Sequence, residues 1–155
     1  MRIAICSDHR GFRAKETIKA LLVREGHTVQ DFGSNDRTSC DYPDTAIPAS
    51  QSVAEGINDF GVMICGTGIG MSITANKVRG IRAALCHDEL TAELARKHND
   101  GNVLCLSGDL VGEELMKRVV DVWLNTRFEG GRHARRLAKI KQFEKADGAP
   151  ESSQA

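Results

Sequence analysis

The sequence predicts an α/β protein: a single domain in three layers, with a five-stranded parallel sheet between helices. Short apolar runs alternate with longer stretches of helical periodicity along the chain, the pattern of repeated β-α units. The runs are apolar throughout rather than alternating, as a parallel sheet covered on both faces requires. A third observation places the chemistry. Val62-Met63-Ile64 ends in Cys65 and passes directly into Gly66-Thr67-Gly68-Ile69-Gly70, so a strand delivers a thiol to a glycine turn ahead of a helix.

Taken in order, Arg2–Cys6 reads as the first strand and Ser7-Asp8-His9-Arg10-Gly11 as the loop leaving it. Ala14, Ile18, Leu21 and Leu22 recur at helical spacing, and Gly26 closes that helix. Thr28–Phe32 is a second strand, stopped by Gly33-Ser34-Asn35-Asp36. The polar segment Arg37–Pro48 reads as a loop into a helix over Ala49–Ile57. The third strand and its glycine loop follow, then a helix from Met71 to Val78 and a fourth strand at Ile81–Cys86. Leu90 and Leu94 share one face of a helix over Asp88–His98, ended by Asn99-Asp100-Gly101-Asn102. Val103–Leu106 is the fifth strand. Helices over Glu113–Leu124 and Arg132–Glu144 complete a domain of residues 1–146, and the polar segment 147–155 reads as a disordered tail.

Composition excludes several classes of function. Lys+Arg and Asp+Glu are both 21, so the formal charge is zero and no bulk field attracts nucleic acid or an anionic membrane, while self-association is unopposed. No apolar run approaches the ~20 residues of a membrane span, and no signal-peptide pattern is present. The 5 cysteines, Cys6, Cys40, Cys65, Cys86 and Cys105, are odd in number, and most lie in or beside apolar runs. That usage indicates a reduced, cytoplasmic chain rather than a disulfide framework. Their spacing suits no metal, and none is expected.

At Cys65, glycines permit positive φ and leave backbone N–H groups bare near a helix start, where negative charge is favoured. A cysteine there can have its pKa drawn below the free value of about 8.5, making it a nucleophile or a base beside an anion cradle. Two known loop templates fail at one residue. Both the third glycine of a dinucleotide fingerprint and the arginine of a phosphatase-type loop would fall on Met71. Asp8 and His9 stand on the same rim, where alone they read as a helix-capping carboxylate and a solvated imidazole. His98, one turn beyond Leu94, and Asn99 are alone ordinary residues for a helix end. Arg132, Arg135 and Arg136 follow Gly130-Gly131 in the first turns of the last helix, where positive charge opposes the macrodipole. Arg132 and Arg136 share a face, which suits a bound anion such as phosphate as well as a basic surface patch.

Together these pieces resemble the RpiB/LacAB sugar-phosphate isomerases, most specifically the ribose-5-phosphate isomerase B type. The likeness is carried by Cys65-Gly66-Thr67-Gly68-Ile69-Gly70-Met71-Ser72-Ile73, Ala75-Asn76-Lys77, Gly80-Ile81-Arg82-Ala83 and Ser7-Asp8-His9-Arg10-Gly11-Phe12. Asp41-Tyr42-Pro43, Arg96-Lys97-His98-Asn99-Asp100 and Glu129-Gly130-Gly131-Arg132-His133 extend it from Met1 to about Phe143. The resemblance implies a Rossmann-like fold and a metal-free aldose–ketose isomerase, with no cofactor. Cys65 would move a proton between C1 and C2. Gly66, Gly68, Ile69 and Gly70 would offer amides to the enediolate, with Thr67 assisting. His98 would open the sugar ring beside Asn99. Asp8, His9 and Tyr42 would contact the substrate, and Arg132 and Arg136 would grip its phosphate. The resemblance further implies a homodimer or tetramer whose sites are shared between subunits.

One residue departs from the family pattern. Many relatives carry an arginine after the fifth strand, where this chain has Asp109, which cannot bind phosphate directly but can orient an arginine or meet a sugar hydroxyl. The resemblance makes ribose 5-phosphate the first expected substrate, and Asp109 weakens that choice of sugar while leaving the reaction type intact. Galactose 6-phosphate, allose 6-phosphate or a tetrose phosphate are the alternatives, as is a sensor that binds such a sugar without converting it.

Overall fold

The computed structural model of the protein describes residues 1–147. Its elements are β1 (Arg2–Ser7), α1 (Phe12–Arg24), β2 (Thr28–Asp31), α2 (Tyr42–Ala54), β3 (Phe60–Cys65) and α3 (Ile69–Ala75), then β4 (Ala83–Leu85), α4 (Glu89–Asn99), β5 (Val103–Ser107), α5 (Glu113–Asn125) and α6 (Gly131–Asp147). Asp147, assigned from sequence to the tail, ends α6; the remainder of that expected tail lies outside the described residues.

All five strands are parallel, in the order β2-β1-β3-β5-β4. Because side chains alternate along a strand, every inner strand feeds two cores. Ile3, Ile5, Val62, Ile64, Leu104 and Leu106 face α1, α4 and α5, where Trp123 fills the centre. Ala4, Cys6, Met63, Cys65, Val103 and Cys105 face α2 and α3, where smaller side chains bring the helices close. The result is the three-layer αβα, Rossmann-like arrangement expected from the sequence.

Three elements differ most from expectation in their bounds. α2 begins at Tyr42 rather than Ala49 and ends at Ala54 rather than Ile57. Pro43 lies in its first turn, where a missing N–H costs nothing, and Pro48 lies inside the helix. Its buried face is Ala46, Ala49, Ser50, Ser52 and Val53, too small and too polar to register as hydrophobic periodicity. Gly56, at φ 73°, ends it: Gly56 N–H donates to the Val53 carbonyl and Ile57 N–H to that of Ser52, a Schellman closure. α3 starts at Ile69 and stops at Ala75, three residues short of Val78. β4 shrinks to Ala83–Leu85 at the sheet edge, with half-buried side chains throughout.

Candidate active site

β1 and β3 are neighbours in the sheet, yet the chain leaves β1 toward α1 on one face and β3 toward α3 on the other. Loops parting in this way open a crevice at the carboxyl ends of the strands. A cleft of about 250 Å³ lies there, lined by Asp8, Arg10, Tyr42, Cys65, Gly66, Thr67, Gly70 and Asp109.

Cys65 is the last residue of β3, at the floor of this cleft and 4 % exposed. Gly68 N–H donates to its Sγ at 3.1 Å. Gly68 adopts φ 77°, and a Cβ there would stand 2.5 Å from Leu85 Cδ1 and 2.9 Å from the Leu106 carbonyl. Only glycine fits both constraints. The loop is pinned from beneath: Ser107 Oγ donates to the Gly66 carbonyl at 2.6 Å, Asp109 N–H to the same carbonyl at 3.1 Å, and Gly108 N–H to the Cys65 carbonyl at 2.8 Å. Thr67 is exposed and its Oγ1 accepts Ile69 N–H at 3.3 Å. The Tyr42 ring closes the far wall, so near that a Cβ on Gly70 would lie 2.7 Å from Cζ.

Asp8 lines the cleft but does not cap α1, whose N-cap is Gly11 with no side-chain cap hydrogen bond. Its buried Oδ1 accepts Arg10 N–H and Gly11 N–H, each at 2.9 Å, and so fixes the turn that carries Arg10. His9 Nδ1 lies 3.3 Å from both the N and the O of Cys40. The other buried thiols are chemically quiet. Burial pushes Cys6 up to about 12 and Cys86 to about 11, and raises Cys105 well above the ordinary range.

The remaining predicted residues gather elsewhere. His98 sits in the last turn of α4, and the chain then enters the amino end of β5, whereas Cys65 pairs with Ser107 at its carboxyl end. Four strand steps, ~13 Å at ~3.3 Å each, separate those two edges. Around His98 the structure collects Glu129, His133 and Arg132. The His98 and His133 rings stack with centroids 4.2 Å apart and planes 5° from parallel. Glu129 Oε2 is 3.8 Å from His98 Nε2, and Arg132 Nε is 3.3 Å from His133 Nε2. Burial, with His98 and Arg132 adding to it, holds His133 below the ordinary imidazole value. Arg132 and Arg136 project into solvent. The Asn99 carbonyl accepts from Arg82 Nε at 3.1 Å, and Asn99 lines a separate groove beneath α6. Ligand atoms of His98, Glu129 and His133 lie within 4.8 Å of one another. Parallel stacked rings cannot aim both nitrogen lone pairs at one ion, so the arrangement suits proton transfer rather than metal ligation.

One cleft residue was not singled out from sequence. Arg10 reaches across the opening to Asp109, with Nη2 2.5 Å from Oδ2. An arginine in a polar loop carries no signal of its own; its partner comes from the far side of the cleft, after β5.

A thiol on a glycine loop at the carboxyl rim of a parallel sheet, with a second rim of imidazole and guanidinium groups, defines an α/β enzyme for small anionic substrates. The chain belongs to the ribose/galactose isomerase family, whose model matches residues 3–140. It is 46 % identical to ribose-5-phosphate isomerase B of Escherichia coli over 143 residues, 92 % of this chain and 96 % of that protein. It is 42 % identical to the D-erythrulose-4-phosphate isomerase of Pectobacterium atrosepticum over 146 residues, 93 % and 95 % of the two chains. Among solved structures, ribose-5-phosphate isomerase B of Mycoplasma genitalium with bound ribulose 5-phosphate superposes with a TM-score of 0.90 at 44 % identity, covering 93 % of this chain and 96 % of that one. The chain is thus an aldose–ketose isomerase of the sugar-phosphate class.

Proposed function

We propose that this isomerase interconverts ribose 5-phosphate and ribulose 5-phosphate, with Cys65 as the base. The observation that carries the reading is the Cys65 sulfur at the floor of the cleft, within reach of the Gly68 amide. The Cys65 thiolate takes the proton from C2 of the open-chain aldose, and the electron pair moves to leave an enediolate. The thiol then returns the proton to C1, giving the ketose, so no redox partner is consumed. In this reading the amides of Gly66, Gly68, Ile69 and Gly70 turn to the developing oxyanion, those of Gly68 and Ile69 leaving Cys65 Sγ and Thr67 Oγ1 to do so, and Thr67 Oγ1 relays a proton on that oxygen. Positioned base catalysis contributes ~10²–10⁴-fold, and each oxyanion donor ~10²–10³-fold. Asp8, His9 and Tyr42 hold the sugar.

His98, Asn99, Arg132 and Arg136 stand at the opposite end of the sheet from Cys65, so in this reading a second copy supplies ring opening and the phosphate grip. The exposed Ile69, Ile73, Ile140 and Phe143 give such a dimer apolar surface to bury. All five cysteines are free, as suits the reducing cytoplasm, and no helix of the described residues is long and apolar enough to cross a membrane.

Two experiments test this reading. Purified protein with EDTA should convert ribose 5-phosphate, and Cys65→Ala should abolish turnover while keeping substrate binding; an unchanged rate would remove Cys65 from the mechanism. Mixing inactive Cys65→Ala and His98→Ala proteins should restore activity, because a mixed dimer carries one intact pair. No recovery after subunit exchange would place the whole site within one chain. A tetrose phosphate is the second reading, favoured by the Pectobacterium relative. Comparing kcat/KM over pentose, tetrose and hexose phosphates decides between them.

A further inference from the structure

We propose that Arg10, held by Asp109, receives the phosphate end of the substrate on the same subunit as Cys65, and that Arg13 and Arg37 extend this anion subsite. The inference rests on the sugar-phosphate reading above and adds a residue that the reading does not use. Arg10 lines two adjoining spaces. One is the cleft over Cys65. The other is a cavity of about 240 Å³ walled by Arg10, Arg13, Arg37, Asp109, Glu113 and the Gly108 backbone. A ligand with its reacting carbons at Cys65 therefore meets Arg10 on the way to a space bordered by three guanidinium groups and two carboxylates.

Arg10 is also poised for such a role. Its ion pair with Asp109 runs through Nη2, and among the described residues its guanidinium makes no other hydrogen bond, so N–H donors remain for an anion. Its side chain is 60 % exposed, and an anion can reach it. The side chain is nevertheless fixed in position. Its Nε and Asp109 Oδ2 would stand 2.9 and 2.8 Å from a Cβ on Gly66, so the ion pair is laid against the glycine loop itself. The Asp8 carboxylate sets the backbone of Arg10 from below. Arg13 and Arg37 form no ion pair among the described residues, and their charge is uncommitted. Asp109 would repel a phosphate if it stood alone. Paired to Arg10 it instead orients the planar fork, which can bind two phosphate oxygens side by side.

The experiment compares Arg10→Ala, Asp109→Asn and the double variant Arg10→Ala/Asp109→Arg with Arg24→Ala, a control at the far end of α1. Affinity for inorganic phosphate is measured by calorimetry, and kcat and KM by turnover of ribose 5-phosphate and of unphosphorylated ribose. Arg10→Ala should weaken phosphate binding and raise KM for ribose 5-phosphate by about 10–100-fold, the range of a lost charge-assisted contact. Its turnover of unphosphorylated ribose should stay within two-fold of the control. Asp109→Asn, which frees the fork without removing it, should fall between. The double variant should recover most of the loss, because position 109 reaches the same volume over Gly66. If the protein converts no sugar phosphate, the activity reading fails, and the phosphate affinities still judge Arg10. Phosphate affinity and KM in Arg10→Ala within two-fold of Arg24→Ala would overturn the proposal. So would an equal loss with unphosphorylated ribose.

Discussion

Replacing Gly68 by alanine tests the glycine loop at its most constrained point. A non-glycine residue at φ 77° costs about 1–2 kcal/mol. The added Cβ also meets Leu85 Cδ1 at 2.5 Å and the Leu106 carbonyl at 2.9 Å. The Leu85 methyl can rotate away, but the Leu106 backbone belongs to β5 and cannot, so overpacking adds about 1–3 kcal/mol. A total near 2–5 kcal/mol lowers Tm by roughly 5–15 °C in a chain of this size. Relief of the clash must carry the amide of residue 68 away from Cys65 Sγ, and loss of one such donor lowers kcat by ~10²–10³-fold. Circular dichroism melts give the first quantity. Turnover at a temperature where both proteins remain folded gives the second. A variant with Tm within 2 °C of wild type and undiminished kcat would refute both the packing argument and the role assigned to the Gly68 amide.

Other expected outcomes concern charge and thiol chemistry. Lys15, fully buried, holds both oxygens of Asp31 at 2.8 and 2.7 Å. Removing one partner of a buried pair costs about 3–5 kcal/mol, and because Lys19 still reaches Asp31, Lys15→Met should cost about 2–3 kcal/mol in a denaturant titration. Burial alone would raise Asp31, but Lys15, Lys19 and Gly33 N–H more than offset it and hold the carboxyl below 3.8. Its contribution is therefore complete above that value and lost as pH falls toward the lowered one, so wild type should lose stability more steeply than Lys15→Met below about pH 4. Iodoacetamide near neutral pH should modify Cys40 and Cys65 and spare Cys6, Cys86 and Cys105, as peptide mapping would show. Loss of activity should track Cys65, and ribose 5-phosphate should slow it. Modification of the three buried thiols at the same rate would contradict their burial.

The strands were legible because both faces of a parallel sheet are apolar, leaving runs such as Val62-Met63-Ile64 with one interpretation. The Cys65 loop was legible for a related reason: an apolar strand that runs directly into a thiol and three glycines at its carboxyl end marks a turn with bare amides rather than more strand. α2 was misread because its inner face is alanine and serine, which bury well but barely differ in hydrophobicity from a loop. The segment up to Pro48 was read as loop because it is polar, although Pro43 is a helix-start residue. The position of His98 was harder to read than its identity. Its helix was correct, yet only the topology puts it at the amino edge while Cys65 stands at the carboxyl edge. The meaning of Arg10 was beyond sequence reasoning, because an ion pair across a cleft leaves no periodicity in the chain. Asp109 did signal a change, since a carboxylate beside an anion site calls for a compensating cation.

If His98 and Cys65 act together, the height of the sheet between them also governs how activity depends on dose. No hinge motion of one chain carries a helix end from one rim of a sheet to the other without unravelling β5. If His98 serves any Cys65, it serves one on another molecule, and a newly made chain stays silent until it meets a second. Serial dilution would then extinguish turnover faster than it removes protein.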